Sequence, residues 1–146
     1  MNCLCCCIET TTKSPSTPSA TTNDCVISTS CSYNDMTSCV RHKCLYMSEY
    51  HHRCIYRYDM VSADISKWSV RDKACGLSVT LSCNLLAVCH GLTNKLVELS
   101  ADSGQCVREI TLQADIEWPW HGIQLTTGQF VVWNDFGNNW SSVYSQ

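Results

Sequence analysis

From about Asp35 to the C-terminus, apolar residues come in short runs, and each run stops at a cluster of turn-forming residues. Leu85-Leu-Ala-Val-Cys is one run and Leu96-Val-Glu-Leu is another. Cys106-Val-Arg-Glu-Ile-Thr-Leu alternates throughout, with Val107, Glu109 and Thr111 on one side and Arg108, Ile110 and Leu112 on the other. Phe130-Val-Val-Trp follows the turn Thr126-Thr-Gly-Gln. Short runs with β-branched and aromatic residues predict strands. Asn94, Asp102-Ser-Gly104, Gly128 and Asn134-Asp135 supply the turns between them. No window carries an apolar stripe at helical spacing across three turns, so the expected fold class is all-β.

The runs also recur. Lys43–Tyr58 lies on Asn84–Leu99 without a gap, at an offset of 41 residues (43 to 84). Cys44-Leu45 falls on Leu85-Leu86, Ile55 on Leu96, Tyr56 on Val97 and Tyr58 on Leu99. The same offset puts Met36 on Leu77 and Thr37 on Ser78. A third copy begins at Gly122-Ile-Gln-Leu, repeating Gly76-Leu-Ser-Val at an offset of about 46 (76 to 122). Gln129-Phe-Val-Val-Trp then repeats Asn84-Leu-Leu-Ala-Val. A unit of about 40–45 residues with four strands is the pattern of a propeller blade. The expected architecture is a partial β-propeller of four-stranded antiparallel blades, occupying 25–146, with blades at about 35–70, 76–112 and 122–146. In the first blade the expected strands are Met36–Cys39, Cys44–Ser48, Cys54–Tyr58 and Ile65–Val70. In the second they are Leu77–Thr80, Asn84–Cys89, Lys95–Leu99 and Cys106–Leu112, and in the third Ile123–Leu125, Gln129–Trp133 and a last strand near Ser142–Tyr144.

Residues 1–24 differ in composition. Thr10 to Asn23 is almost entirely Thr, Ser, Pro, Ala and Lys, which offers too little apolar surface to offset the entropy of ordering. A disordered N-terminal segment is expected there. Cys25-Val-Ile has strand character, while Ser, Thr and Asn dominate the rest of the run to Asn34. Across 146 residues, 45% are apolar and 16% charged, enough for a core in one domain or less. The net charge of −3 counts against a nucleic-acid partner. Met1-Asn-Cys-Leu-Cys-Cys-Cys-Ile is apolar, but no basic region precedes it and Glu9 ends it, unlike a secretory signal. No stretch approaches the ~18–20 apolar residues of a membrane span, so no transmembrane segment and a cytoplasmic location are expected. Thirteen cysteines at irregular spacing suggest free thiols and not a disulfide framework.

Several segments together carry a family resemblance. They are Cys44-Leu-Tyr-Met-Ser-Glu, Trp68-Ser-Val, Gly76-Leu-Ser-Val-Thr, Asn84-Leu-Leu-Ala-Val-Cys-His, Lys95-Leu-Val-Glu-Leu, Gly104-Gln-Cys-Val-Arg-Glu-Ile and Pro119-Trp-His-Gly-Ile-Gln-Leu-Thr. From about Asp35 to Trp133 the chain resembles NHL-type propellers, which form the C-terminal part of many animal multidomain proteins, tripartite-motif proteins among them. The resemblance implies a non-catalytic protein-interaction scaffold. A ring of about six blades needs roughly 250 residues, against about two and a half blades here. Phe136-Gly-Asn-Asn-Trp-Ser-Ser also departs from the start of the matching strand in the second copy. Both departures suggest the alternative of a truncated or degenerate fragment without independent function. The RING and B-box zinc modules of tripartite-motif proteins are not visible, so ligase activity is not implied. Some NHL-like propellers are lyases that hold metal through inward histidines. The resemblance therefore leaves open a metal-dependent enzyme fragment using His90 and His121.

Read for chemistry, the chain offers few constellations. Structural zinc normally shows two closely spaced ligand pairs. Cys3, Cys5, Cys6 and Cys7 are crowded, and Cys39 and Cys44 flank His42, but no second pair matches. No metal and no cofactor are expected. S-acylation of the N-terminal cysteines would tether the chain to a membrane, but Asn2 blocks myristoylation and no polybasic partner is present. Cys89 and His90 are strand neighbours and point to opposite faces. Cys54 with His51 or His52 would sit at an open hairpin tip with no third group to orient the base. No Gly-x-Ser-x-Gly, phosphate loop or paired-carboxylate arrangement appears, so no catalytic residue is assigned and no enzyme is expected. Asn139-Trp-Ser141 fits a glycosylation acceptor, taken as coincidental without a signal sequence. Trp118-Pro-Trp120-His121 is the most unusual segment. It is read as a loop before an inner strand, with Trp118, Trp120 and His121 as candidate binding residues. The competing expectation is that both indoles pack between blades. The expected partner is a protein, and exposed blade faces predict self-association.

Overall fold

The structure is a computed structural model that describes residues 33–134 and the backbone of 139–143. The expectations for the N-terminal segment 1–24, the cysteines at its start and the run from Cys25 to Ser32 lie outside the described residues. So do Tyr144 and the side chains of the Asn139-Trp-Ser acceptor.

The chain is all-β, and the described residues form eleven strands. In each strand successive side chains point to opposite faces of the sheet. The first sheet is β1 (Asp35–Cys39), β2 (Cys44–Glu49), β3 (Cys54–Asp59) and β4 (Ile65–Ser69), paired antiparallel in that order. The second is β5 (Lys73–Val79), β6 (Leu85–His90), β7 (Lys95–Leu99) and β8 (Cys106–Thr111), in the same order. The third contains β9 (Pro119–Gln124), β10 (Phe130–Asn134) and β11 (Asn139–Val143).

Each sheet is a meander, and consecutive sheets stack face to face. The first strands of the three meanders lie side by side, with β5 packed against β1 and β9. That arrangement makes β1, β5 and β9 the inner strands of three propeller blades. Two cores fill the gaps. Cys44, Tyr46 and Ile55 of the first blade meet Leu77, Leu85, Ala87 and Val97 of the second. On the other side, Leu86, Val88 and Leu96 meet Phe130 and Val132 of the third. The second blade is therefore apolar on both faces, as the unbroken Leu85-Leu-Ala-Val-Cys run requires. Leu85 and Ala87 face one neighbour, Leu86 and Val88 the other.

Several boundaries differ from the sequence expectation. The inner strand of the second blade begins at Lys73 instead of Leu77, and that of the third at Pro119 instead of Ile123. Both extensions contain a β-bulge. Ala74 and Gly76 oppose the adjacent residues Cys89 and Val88, which leaves Cys75 as the extra residue. Pro119 and His121 oppose Asn134 and Trp133 in the same way, which leaves Trp120 extra. A bulge interrupts strict alternation, and so hides a strand from a period-two reading.

The repeat itself shifts by one residue along the inner strands. Met36 opposes Met47, Gly76 opposes Val88 and His121 opposes Trp133. The structural counterpart of Gly76 is thus His121 and not Gly122, and Met36 corresponds to Gly76 and not Leu77. Between the first two blades the reason is the hairpin: residues 40–43 connect β1 to β2, but 80–84 connect β5 to β6. The β9–β10 hairpin, 125–129, is as long as 80–84, so the inner strand and its partner keep one common offset there and the match of Gly76 to Gly122 is a coincidence of sequence. Gly76 has a steric requirement of its own. A Cβ there would lie 2.2 Å from the Trp120 carbonyl oxygen, because β5 and β9 converge at this point.

Candidate interaction site

The loops at one end of the strands enclose a groove of about 700 Å³. Four connections build it: the β2–β3 and β6–β7 hairpins, and the crossings from β4 to β5 and from β8 to β9. One wall is aromatic. The His90 ring lies 5.6 Å from Trp118 and 6.2 Å from Tyr50, centroid to centroid. Arg53, Arg71 and Lys73 also line the groove.

The sequence explains locally why Trp118 projects there. The β8–β9 crossing carries two buried apolar residues, Leu112 and Ile116. Asn94 of the β6–β7 hairpin pins it at both of these points. The Leu112 amide donates to the Asn94 carbonyl (3.0 Å), and Asn94 Nδ2 donates to the Ile116 carbonyl (3.2 Å). Buried Pro119 anchors the far side, its carbonyl accepting from the Cys75 thiol (3.3 Å) and from His90 Nε2. Between these anchors Trp118 takes a left-handed backbone, φ +51°, a conformation that bulky residues rarely adopt. Its side chain remains 55% exposed.

The three candidate binding residues occupy three different settings. Trp118 lines the groove. Trp120, the bulge residue of β9, is 47% exposed and does not line it. Neither indole is buried between blades, so the packing expectation for this pair is overturned. Each ring is carried outward by local backbone geometry, one by a left-handed residue and the other by a bulge. His121 belongs to β9 and not to the loop before it. Its Nδ1 lies 3.1 Å from Asp35 Oδ2, which also accepts the Leu77 amide at 2.8 Å. Asp35 thus ties together the inner strands of all three blades. Burial pushes its carboxyl up, but hydrogen bonds from His121, Leu77 and Met36 outweigh burial and the net shift is downward.

The groove's charges are unevenly satisfied. Asp72 is held by Lys95 at 2.7 Å, and Lys95 also reaches Glu109 at 2.9 Å. Hydrogen bonds to Asp72 and then Glu109 raise the Lys95 pKa, so its cation is committed to them. Lys73 Nζ lies over the Tyr50 ring, 4.9 Å from its centroid. The ion pairs among the described residues use none of Arg53, Arg71 and Lys73.

The other candidates resolve differently. Cys54 is buried and donates its thiol to Glu49 Oε2 at 3.4 Å, while His52 pairs with Glu49 Oε1. Glu49 is therefore the third group that the sequence did not reveal. Burial pushes the Cys54 thiol up, which disfavours the thiolate that a nucleophile needs. Cys89 enters the core between the first two blades, whereas His90 lines the groove. Cys39 and Cys44 face each other across β1 and β2 as buried free thiols. Among the described residues no group of three or more His, Cys, Asp or Glu is placed to hold a metal ion. Nor is any described helix long and apolar enough to cross a membrane.

No protein-family model and no curated protein matches the chain. Solved structures do match, and they are β-propeller proteins. The WD40 β-propeller domain of Doa1 superposes with a TM-score of 0.58 at 14% identity, over 78% of this chain and 36% of that one. Kuenenia stuttgartiensis hydrazine synthase gives a TM-score of 0.58 at 14% identity, with the same 78% and 36% coverage. U3-55K gives 0.57 at 10% identity, over 80% of this chain and 40% of that one. The chain has a β-propeller fold. It spans 36–40% of the length of these three similar structures.

Proposed function

We propose that the chain is a non-catalytic protein-interaction module of NHL-like propeller type, with the groove at Trp118 as its recognition site. Trp118 carries this reading. A large aromatic ring is held half out of the protein, on a backbone conformation that costs energy, at the mouth of a groove built by four loops. Such strain persists where the surroundings impose it, and it clusters at ligand clamps. Tryptophan and arginine are the residue types that most often anchor interfaces. His90 and His121, the pair a metal-dependent enzyme would use, are engaged separately, by the Pro119 carbonyl and by Asp35. The free cysteines fit a reducing compartment such as the cytoplasm.

The test is parallel capture of binding proteins from native lysate, with wild type, Trp118→Ala and Leu81→Ser as baits. Leu81 is equally exposed but lies on the β5–β6 hairpin, at the opposite end of the strands. The expected result is a set of proteins depleted at least about tenfold with Trp118→Ala and retained with Leu81→Ser. Identical sets from all three baits would remove the groove from the function.

A further inference from the structure

We propose that the groove recognises an acidic peptide segment, with Arg53, Arg71 and Lys73 binding its carboxylates and the Trp118–His90–Tyr50 wall taking a neighbouring apolar or aromatic side chain. This rests on the interaction reading above and gives it a ligand chemistry.

The spacing of the cations comes from strand pairing. Cys54 opposes Ser69, and one step further the Val70 amide donates to the Arg53 carbonyl at 2.9 Å. Arg53 and Arg71 therefore leave neighbouring strand ends on one rim. Arg53 is fixed there by a left-handed turn residue conformation, φ +51°. Two guanidinium groups on one rim offer planar forks that match carboxylates in bidentate geometry. Lys73 follows at the start of β5, its ammonium over the Tyr50 ring at 4.9 Å. That contact sets it beside the aromatic wall, where an acidic residue next to an apolar one would reach both.

The charge balance points the same way. The carboxylate nearest these cations in sequence, Asp72, is paired with Lys95 at 2.7 Å, a cation it shares with Glu109 at 2.9 Å. The chain as a whole carries a net charge of −3. Among the described residues Arg53, Arg71 and Lys73 outnumber Asp72 and Glu117 on the groove lining, and a local excess of cations in an acidic molecule guides an anionic partner to it. A nucleic-acid backbone fits less well. It needs a long basic track, and here the cations are clustered, with exposed Glu117 on the same lining.

The experiment uses the full 146-residue chain and fluorescence anisotropy with three labelled probes. The first is a peptide that alternates Asp or Glu with Leu or Phe. The second is the same peptide with Asn and Gln in place of the acids, and the third is a single-stranded oligouridine. The expected result is saturable binding of the acidic peptide, at least about tenfold tighter than the amide peptide, weakening several-fold as salt rises from about 50 to 300 mM. Arg53→Glu, Arg71→Glu and Trp118→Ala should each weaken it about fivefold or more, and Leu81→Ser should leave it unchanged. Equal binding of the acidic and amide peptides, or tighter binding of oligouridine, would overturn the proposal. Those comparisons use wild type alone and hold even if a variant fails to fold. Trp118-dependent capture from lysate without acidic-peptide binding would sink the acidic specificity and leave the interaction reading standing. Loss of both would sink both.

Discussion

At the scale of single residues, Asp35 does more than its position on an inner strand suggests. One carboxylate oxygen serves the Leu77 amide and His121, so three blades share it. Its pKa lies below the ordinary carboxylate value because its hydrogen bonds outweigh its burial. The sign follows from proton linkage. The unfolded chain holds the Asp35 proton more tightly, so the stabilisation is fully present above the unfolded value of about 4. It is lost as pH falls through the lower folded value. Asp35→Asn keeps the acceptor and removes the charge. Thermal melts from pH 5 downward should show wild type melting higher at pH 5, with the gap closing below about pH 4. A gap that stays constant to pH 2 would show that the charge of Asp35 contributes nothing.

At the scale of elements, the inner strands decide how closely blades approach. Gly76 sits where β5 meets β9, and a Cβ there would meet backbone atoms that cannot step aside without disturbing β9–β10 pairing. Gly76→Ala is expected to destabilise the protein by about 3 kcal/mol, the upper end for overpacking. Gly128 provides the comparison. Its φ is +86° and nothing lies within 4 Å of a Cβ built there, so Gly128→Ala should cost about 1 kcal/mol from backbone conformation alone. Urea denaturation of both variants measures the difference, and equal costs would mean the strands can separate at Gly76. A charge network braces the outer elements. Glu98 Oε2 accepts from Arg108 Nε at 2.7 Å, and Oε1 accepts from Asn84 at 2.8 Å and Ser82 at 3.1 Å. Glu98→Ala removes the acceptor for all three and should cost about 2 kcal/mol. A denaturation midpoint unchanged from wild type would contradict this.

At the scale of the whole molecule, the described residues cover the second blade on both faces and the first on one. Its other face presents Met36, Met47 and Tyr56 in one cross-strand row, and Leu45, Tyr58 and Ile65 in the next. Met36 is 52% exposed. In a propeller such a face meets another blade. The chain is therefore expected to self-associate as concentration rises, and Met47→Lys with Tyr58→Lys should shift it toward monomer in sedimentation velocity. A wild-type chain that stays monomeric at high concentration would show that this face is already covered.

Strand content, most turns and the blade repeat follow from the sequence alone, because strand periodicity is a local property. Val107–Leu112 alternates whatever lies beyond it, and the apolar run Leu85–Cys89 already indicates a strand buried on both faces. Bulges at Cys75 and Trp120 break that local signal, so the opening residues of β5 and β9 carry no strand period in the sequence. Between the first two blades, hairpins of unequal length moved the inner-strand repeat by one residue, an effect that no pattern within a strand records. The groove lay further out of reach. The unusual Trp118-Pro-Trp120 segment marked one of its walls, but Tyr50, Arg53, Arg71 and Lys73 carry no pattern that links them to it. Asp35 and His121 are 86 positions apart. Only the stacking of blades brings such residues together, because contact between sheets depends on where whole strands are placed in space and not on the order of residues within them.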